Sequence, residues 1–500
     1  MDTTLSSVPP AHRDLISPLG EALARAEFTA PAISRLLALP DIPPGRRLFE
    51  SLLPHLRRTC GPAPLAALVR LFLLGQPVPE PAARAALHPL SVDDAVRSNL
   101  LSRSAADVRA TVRIVPFEDL WVVADWPGAD LSESAFEPVM GVAASTQALA
   151  QMMIHRPAGQ VLDLGTGSGV LALLAARTAN HVVAADLNPR AAAMTAFNAA
   201  LNGAANVESR TGNLFDPVSG RTFDLILCNP PFVIAPTAGR MHSQTGRHAD
   251  DLCRSIVQAA PQFLRPSGFC QLVGNWVHPT GGDWRQRLAG WFAGLDCDAW
   301  VLQARSEDAA TYAQQRISET TDDPTQAAQL FDDWMSYYEQ AGIEAVGFGV
   351  ITLRRASGPG WFRCKPMPPI AGPCGDAIER GFAGGDFLAA HRDDAAFLAA
   401  RVRRADDLVW DRRSTIAAGG WVTGPSQIRL TKGLMFAGAA EAGVAEFVGR
   451  CTGTVPLSGE LARVAAELGR DARAFQPAFL GLVRRLIEIG ILVPMASDAV

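Results

Sequence analysis

At 500 residues the chain is long enough for about three domains of ordinary size. With 48% hydrophobic and 19% charged residues it can bury substantial cores and does not read as disordered. Its formal charge of −5 excludes a globally basic nucleic-acid coat, but not a locally basic cleft.

The opening segment, MDTTLSSVPPAHRD, has neither the basic nor the apolar region of a secretory signal. From Asp14 to about Leu100 the pattern is helical, with RLFESLLPHLRR (47–58) and PLAALVRLFLL (64–74) carrying apolar residues at three- and four-residue spacing. Proline clusters at 40–44 and 77–81 punctuate them. VRATVRIV (108–115) and LWVVADW (120–126) alternate like a short hairpin around Pro116–Asp119. Two readings stand for this region: a winged helix, or a small helical bundle with a connecting ribbon.

From about 157 to 304, short apolar runs alternate with helical stretches. The runs are QVLDLG (160–165), HVVAAD (181–186), NVESR (206–210), FDLILCN (223–229), GFCQLVGNW (268–276) and DAWVLQAR (298–305), with helices expected at about 169–179, 189–202, 249–264 and 283–293. GFGVITLRR (347–355) is one more strand, reached through an acidic helical insertion at 306–344. The alternation predicts an α/β fold with a doubly wound, mostly parallel sheet, whose ligands bind at the carboxyl ends of the strands. GPGWFRCKPMPPIAGPCG (358–375) marks a boundary, and helices at 434–450, 457–468 and 475–489 lead to the strand-like ILVP (491–494). This last region reads as a second winged-helix-like module or as a helical packing domain. The expected division is 1–104, 105–138 (hairpin and linker), 139–357 and 358–500. No run of about 18 apolar residues offers a membrane span. Eight scattered cysteines without a C-x-x-C pair argue for reduced thiols, and the histidines show no metal-ligand spacing. A soluble, cytoplasmic protein without a metal is expected.

VLDLGTGSGVLALLAA (161–176) is a strand, a glycine-rich turn and a helix. Gly165, Gly167 and Gly169 admit positive φ and close approach of a ligand to the backbone. Val170 stands where a dinucleotide fingerprint needs its third glycine, which disfavours a nicotinamide or flavin cofactor. Asp186 closes the second run, where an ionised carboxylate accepts both hydroxyl protons of a ribose. In GNLFDP (212–217), Asn213 can bond an adenine amino group while Leu214 covers the ring; this set suits an adenosine with no phosphate. Asp163 either helps hold a ligand ammonium or caps local backbone.

The fourth run leads into Asn229-Pro230-Pro231-Phe232. The Asn229 side-chain carbonyl and the Pro230 backbone carbonyl can each accept one N–H of a planar amino group. Prolines add no competing donors and keep the chain extended. Phe232 offers a ring for a flat substrate to stack on. Clamping both hydrogens orients the nitrogen for in-line displacement, so orientation supplies rate without a strong general base.

Residues 139–305 resemble the class I S-adenosylmethionine-dependent methyltransferases of the small-domain superfamily, on the motifs VLDLGTGSG (161–169), Asp186, GNLFDP (212–217) and ILCNPPF (226–232). Release-factor glutamine methyltransferases and several rRNA and tRNA base methyltransferases belong to this group. The resemblance implies a Rossmann-like, seven-stranded methyltransferase core and S-adenosyl-L-methionine as cofactor. It implies that Asp163, Gly165, Thr166, Gly167, Gly169, Asp186, Asn213, Leu214 and Asn229 bind the cofactor, and that Asn229, Pro230 and Phe232 hold the target nitrogen. GVAASTQALA (141–150) sits at the pre-motif segment, which brings Ser145 or Thr146 to the cofactor. Two departures stand out: relatives often carry Asp at the place of Asn213, and glutamine enzymes usually carry Tyr at the place of Phe232. TAGRMHSQTGRHADD (237–251), with Arg240, His242, Arg247 and His248, reads as a phosphate or carboxylate grip or as a solvated loop; Trp276 reads as a pocket wall or as packing.

Three functions follow in order of preference. The first is N-methylation of a side-chain amide in a protein or peptide. The second is methylation of an exocyclic base amine in RNA or DNA, and the third is a non-catalytic, cofactor-sensing binding protein. The first two take a macromolecular substrate.

Overall fold

Every apolar run between 157 and 355 forms a strand. The computed structural model describes residues 13–42, 52–126, 138–236, 250–356, 358 and 360–495. Its central sheet contains β1 (Ala158–Leu164), β2 (Ala179–Asp186), β3 (Val207–Thr211), β4 (Phe223–Cys228), β5 (Leu264–Pro279), β6 (Cys297–Asp308), β7 (Ile343–Arg355) and β8 (Phe362–Pro366). Their spatial order is β8-β6-β7-β5-β4-β1-β2-β3. The run from β3 through β2, β1 and β4 to β5 is parallel, and β7 is antiparallel to both β5 and β6. Buried on both faces, the inner strands read as continuous apolar runs, as a parallel sheet requires. Strand order reverses between β1 and β4, which pair with Leu164 opposite Cys228. The turns that follow these two strands therefore emerge side by side, at the point where open α/β sheets bind ligands.

The helices are α1 (Ala144–Met152), α2 (Val170–Ala175), α3 (Pro189–Leu201), α4 (Asp251–Phe263), α5 (Trp284–Ala289), α6 (Ala309–Ser318) and α7 (Pro324–Ala341). The helix expected at 169–179 is only α2, because Ala179 already enters β2. Residues 306–308 complete β6 and 343–344 open β7, and the rest of the expected insertion is α6 and α7 with their short connections. The two helices build a core of their own, in which Tyr312, Ala313, Ile317 and Tyr338 pack with Ile234, Val277 and Val346.

Among the described residues helices predominate up to Arg97, as expected, with 47–51 of the run at 47–58 outside them, but the run at 108–115 does not form a single strand. Asp107–Ala110 pairs with Leu101–Ser104 and Val78–Pro79 in a three-stranded antiparallel sheet, and Arg113–Phe117 pairs with Leu120–Ala124 in a separate hairpin. The break falls at Thr111, whose N–H donates to the Leu100 carbonyl and whose hydroxyl reaches the Asn99 carbonyl. The hairpin is stitched to α3 by Asn198, which accepts from Val123 N at 2.9 Å and donates to Val123 O and Ser168 O, both at 2.8 Å. Asn198→Ala leaves these three buried backbone groups unpaired. A cost of about 2–4 kcal/mol is expected, read as a lower melting temperature in thermal unfolding. One of the three belongs to the glycine turn, so cofactor affinity should fall as well.

Residues 365–500, with 151–155, form a second compact unit. The unit that holds the sheet runs to Cys364, where the expected limit is 357, and β8 crosses from it into the second unit. The three expected helices are present as Ala442–Arg450, Leu457–Glu467 and Ala472–Glu488, and Leu492–Pro494 is a strand. The first starts at 442 because Ala437–Ala439 is a strand. The helix Gly375–Ala390 and the long hairpin Leu408–Ala417 with Gly420–Leu430 have no counterpart in the sequence reading. Residues 412–417 of the hairpin are solvent-exposed, so no alternation marks them.

Candidate active site

The turn after β1 takes its shape from three left-handed glycines, with φ of 72°, 57° and 84° at Gly165, Gly167 and Gly169. A methyl group on Gly165 or Gly167 would meet no atom within 4 Å, so both present bare backbone to an open space. Gly169 differs, since a Cβ there would lie 2.8 Å from Thr195 Cγ2; its glycine serves packing against α3. Thr195 also donates its hydroxyl to the Gly167 carbonyl at 3.0 Å.

Asp163 lies beneath the turn, 1% exposed. One carboxylate oxygen accepts from the Thr166 hydroxyl at 2.6 Å and from Ala172 N at 3.0 Å. The other, Oδ1, is buried without a hydrogen-bond partner among the described residues. Burial pushes this carboxyl up to about 7, against the pull of its two donors. Oδ2 thus holds the Thr166 hydroxyl and the Ala172 backbone, while Oδ1 is left open to a cation.

Asp186, at the end of β2, accepts from Gly167 N at 2.9 Å and Asn188 N at 2.8 Å. Burial pushes its carboxyl above the ordinary range. Each oxygen keeps a second lone pair for a ligand hydroxyl. Leu187, which the sequence reading passed over, is 47% exposed beside it and offers an apolar surface. The Asp186 carbonyl accepts from Gly212 N at 2.8 Å, which ties the loop after β3 to the same edge. In that loop Asn213 is exposed and Leu214 takes a φ of 45°. Glycine backbone, an unpaired buried carboxylate oxygen, a second carboxylate and apolar cover fit S-adenosylmethionine: Asp163 would hold its ammonium, Asp186 its ribose, and Leu187 and Leu214 its adenine.

The tetrad leaves β4 next to this cradle. Asn229 Nδ2 donates to Thr146 Oγ1 at 3.0 Å and to Ser145 Oγ at 3.2 Å. Both hydroxyls come from the first turn of α1. Thr146 and Ser145, the pair expected at the cofactor, orient Asn229. The amide is fixed with its carbonyl oxygen as the group presented, and that oxygen takes no hydrogen bond among the described residues. Pro230 is buried, and Phe232 is half-buried with its ring 5.7 Å from Phe348 on β7. The Arg305 guanidinium lies 4.6 Å over the far ring. Phe348 and Arg305 were not foreseen, because β7 and β6 reach the site only through the antiparallel turn of the sheet. Trp276 is packing: it is fully buried and its indole donates to Gln303 Oε1 at 3.0 Å. Arg240, His242, Arg247 and His248 lie outside the described residues.

Residues 140–283 match the family described as Methyltransferase small domain. Residues 46–111 and 379–494 match two families described only as domains of unknown function. The chain is 39% identical over 137 residues to the release factor glutamine methyltransferase of Cereibacter sphaeroides, covering 25% of this chain and 49% of that one. It is 32% identical over 235 residues to the release factor glutamine methyltransferase of Deinococcus radiodurans, covering 40% and 81%. With the ribosomal RNA small subunit methyltransferase C of Alcanivorax borkumensis it shares 32% identity over 137 residues, covering 27% and 38%. The chain spans about half the length of the first curated relatives it matches. Motifs, strand order and these likenesses agree: the chain belongs to the class I S-adenosylmethionine-dependent methyltransferases, with a methyltransferase small domain.

Proposed function

We propose that the protein methylates a planar amide nitrogen on a protein or peptide. The observation that carries this reading is the fixed orientation of Asn229: with its Nδ2 held by Ser145 and Thr146, its carbonyl faces outward as an acceptor. An –NH2 group placed there would donate one hydrogen to Asn229 Oδ1 and the other to the Pro230 carbonyl, with Phe232 against its face. S-adenosylmethionine, when bound, supplies an electrophilic methyl on a sulfonium sulfur. The residues of the tetrad fix the plane and direction of the nitrogen, and that orientation can remove several kcal/mol of barrier, with about 7–11 as the upper range. Once the nitrogen has gained its carbon, it loses a proton to water. Toward that nitrogen Asn229 and Pro230 present only carbonyl oxygens, as hydrogen-bond acceptors, and need not take that proton.

Charge around the site favours a protein over a nucleic acid. The insertion at 306–344 carries nine carboxylates against the single Arg316, and all but Glu307 of the nine are exposed. Such a wall repels a phosphate backbone and suits a neutral or cationic polypeptide. The leading module runs helix, strand, helix, helix, strand, strand over 64–110, an order we read as a winged helix. Its third helix, Val92–Arg97, is the one a DNA reader would place in a groove. Here it carries Asp93 and Asp94, which are ion-paired to Arg103 and Arg97. That surface serves a protein partner better than a duplex.

Incubation of the protein with methyl-labelled S-adenosylmethionine and separated soluble proteins, ribosomes, tRNA and DNA tests the proposal. Label should enter polypeptide and leave it as methylamine on acid hydrolysis, as an N-methyl amide must. Label confined to nucleic acid would overturn it.

A further inference from the structure

The 500-residue chain has only three tyrosines, Tyr312, Tyr337 and Tyr338, and all lie in the inserted helices α6 and α7. Two of them direct their hydroxyls at one residue of the segment that leaves the tetrad. Tyr312 Oη accepts from Ile234 N at 3.2 Å, and Tyr338 Oη donates to Ile234 O at 2.7 Å. Tyr312 Oη also accepts from Asn275 Nδ2 at 2.6 Å, which joins the pair to β5.

This segment has few other ways to be held. It reads Asn-Pro-Pro-Phe-Val-Ile-Ala-Pro over 229–236, so three of its eight residues bring no N–H. Residues 229–236 belong to no strand or helix, yet Ile234 is fully buried. A buried peptide group without a sheet partner must find side-chain partners, and both tyrosine hydroxyls are aimed at it. The rings themselves are fixed: Tyr338 is 1% exposed and meets Trp334 edge-on at 6.0 Å, while Tyr312 is 4% exposed and packs against Trp334 at 6.5 Å. Burial pushes both phenols above their ordinary range, so neither ionises near neutral pH.

We propose that Tyr312 and Tyr338 are positioning residues for methyl transfer. By fixing the N–H and the C=O of Ile234, they hold Phe232 and the Pro230 carbonyl at the angle the acceptor nitrogen needs. The insertion thereby becomes the back support of the acceptor clamp. This inference rests on the reading of Asn229 and Pro230 as that clamp.

Tyr312→Phe and Tyr338→Phe each remove one hydroxyl and keep the ring. Amide hydrogen exchange over 232–235 can be read in the full chain with no acceptor present. Kinetics then use the labelled fraction found above. Exchange in Tyr312→Phe should rise about tenfold, with a smaller rise in Tyr338→Phe, where the N–H keeps its acceptor. In both variants kcat should fall about tenfold while KM for S-adenosylmethionine stays within about twofold. Unchanged exchange in Tyr312→Phe overturns the inference whether or not an acceptor is known. Faster exchange with unchanged kcat overturns it too, since the hydroxyls then only hold the fold together. Full activity in Asn229→Ala would instead sink the clamp reading beneath it, so the two failures are told apart.

Discussion

Replacing Asn229 with alanine is expected to lower turnover at least about a hundredfold while affinity for S-adenosylmethionine changes little. The asymmetry comes from what Asn229 touches. Its Nδ2 is committed to Ser145 and Thr146, and the glycine turn, Asp163 and Asp186 make no hydrogen bond to it. Alanine removes the acceptor for one target N–H, so the nitrogen can rotate about the Pro230 bond and sample unproductive directions. The cradle after β1 and β2 keeps its shape. Calorimetric titration with the cofactor, beside initial rates with the methylated fraction, reads both halves of the expectation. A variant that turns over at the wild-type rate would show that the tetrad is no more than a rigid strand exit.

Asp163→Asn should separate stability from binding. Burial raises the Asp163 carboxyl from the ordinary 3.8 to about 7. Between these values the folded chain holds a proton that the unfolded chain has released. The group's contribution to ligand-free stability is therefore most favourable below about pH 4, declines as pH rises, and levels off above about pH 7. Asparagine cannot ionise, and its carbonyl can still accept from the Thr166 hydroxyl and Ala172 N. The ligand-free variant should melt higher than wild type at pH 8, with a smaller gain at pH 5. Its affinity for S-adenosylmethionine should fall about ten- to a hundredfold, the worth of a charge-assisted bond to an ammonium. Wild-type affinity should rise with pH through about 7, and the variant's should lack that rise. Melting curves and titrations at both pH values check the signs, and equal affinity of variant and wild type at pH 8 would remove Asp163 from the cofactor site.

The inner strands of the parallel half were legible because their apolar runs are buried on both faces, and β1 and β2 are each followed by a helix-period stretch. The edge that matters chemically was legible because glycine spacing, Asp186 and the Asn-Pro-Pro-Phe tetrad each carry a local physical reason. What escaped the sequence was long-range. Thr146 lies 83 residues before Asn229, and nothing in its neighbourhood says that its hydroxyl will receive an amide. Tyr312 and Tyr338 lie 78 and 104 residues from Ile234; the only trace was the confinement of tyrosine to one insertion. The hairpin at 408–430 was missed for another reason: β-propensity reports half-buried surface, and its outer half is bathed in solvent.

Residues 151–155, the last two residues of α1 and the first three of its link to β1, fold with the second unit and not with the sheet they precede. The Gln151 carbonyl accepts from Cys374 N at 2.7 Å, and Gly375 is pressed against the backbone of Met153 and Ile154 so closely that a methyl there would come within 2.5 Å of the Met153 carbonyl. During synthesis the ribosome releases this pentapeptide more than two hundred residues ahead of its mates. The backbone of 151–155 therefore waits for the carboxyl-terminal portion to supply the Cys374 N–H and the close packing of Gly375. A nascent chain arrested before that point would lack the donor to the Gln151 carbonyl, immediately upstream of its cofactor cradle.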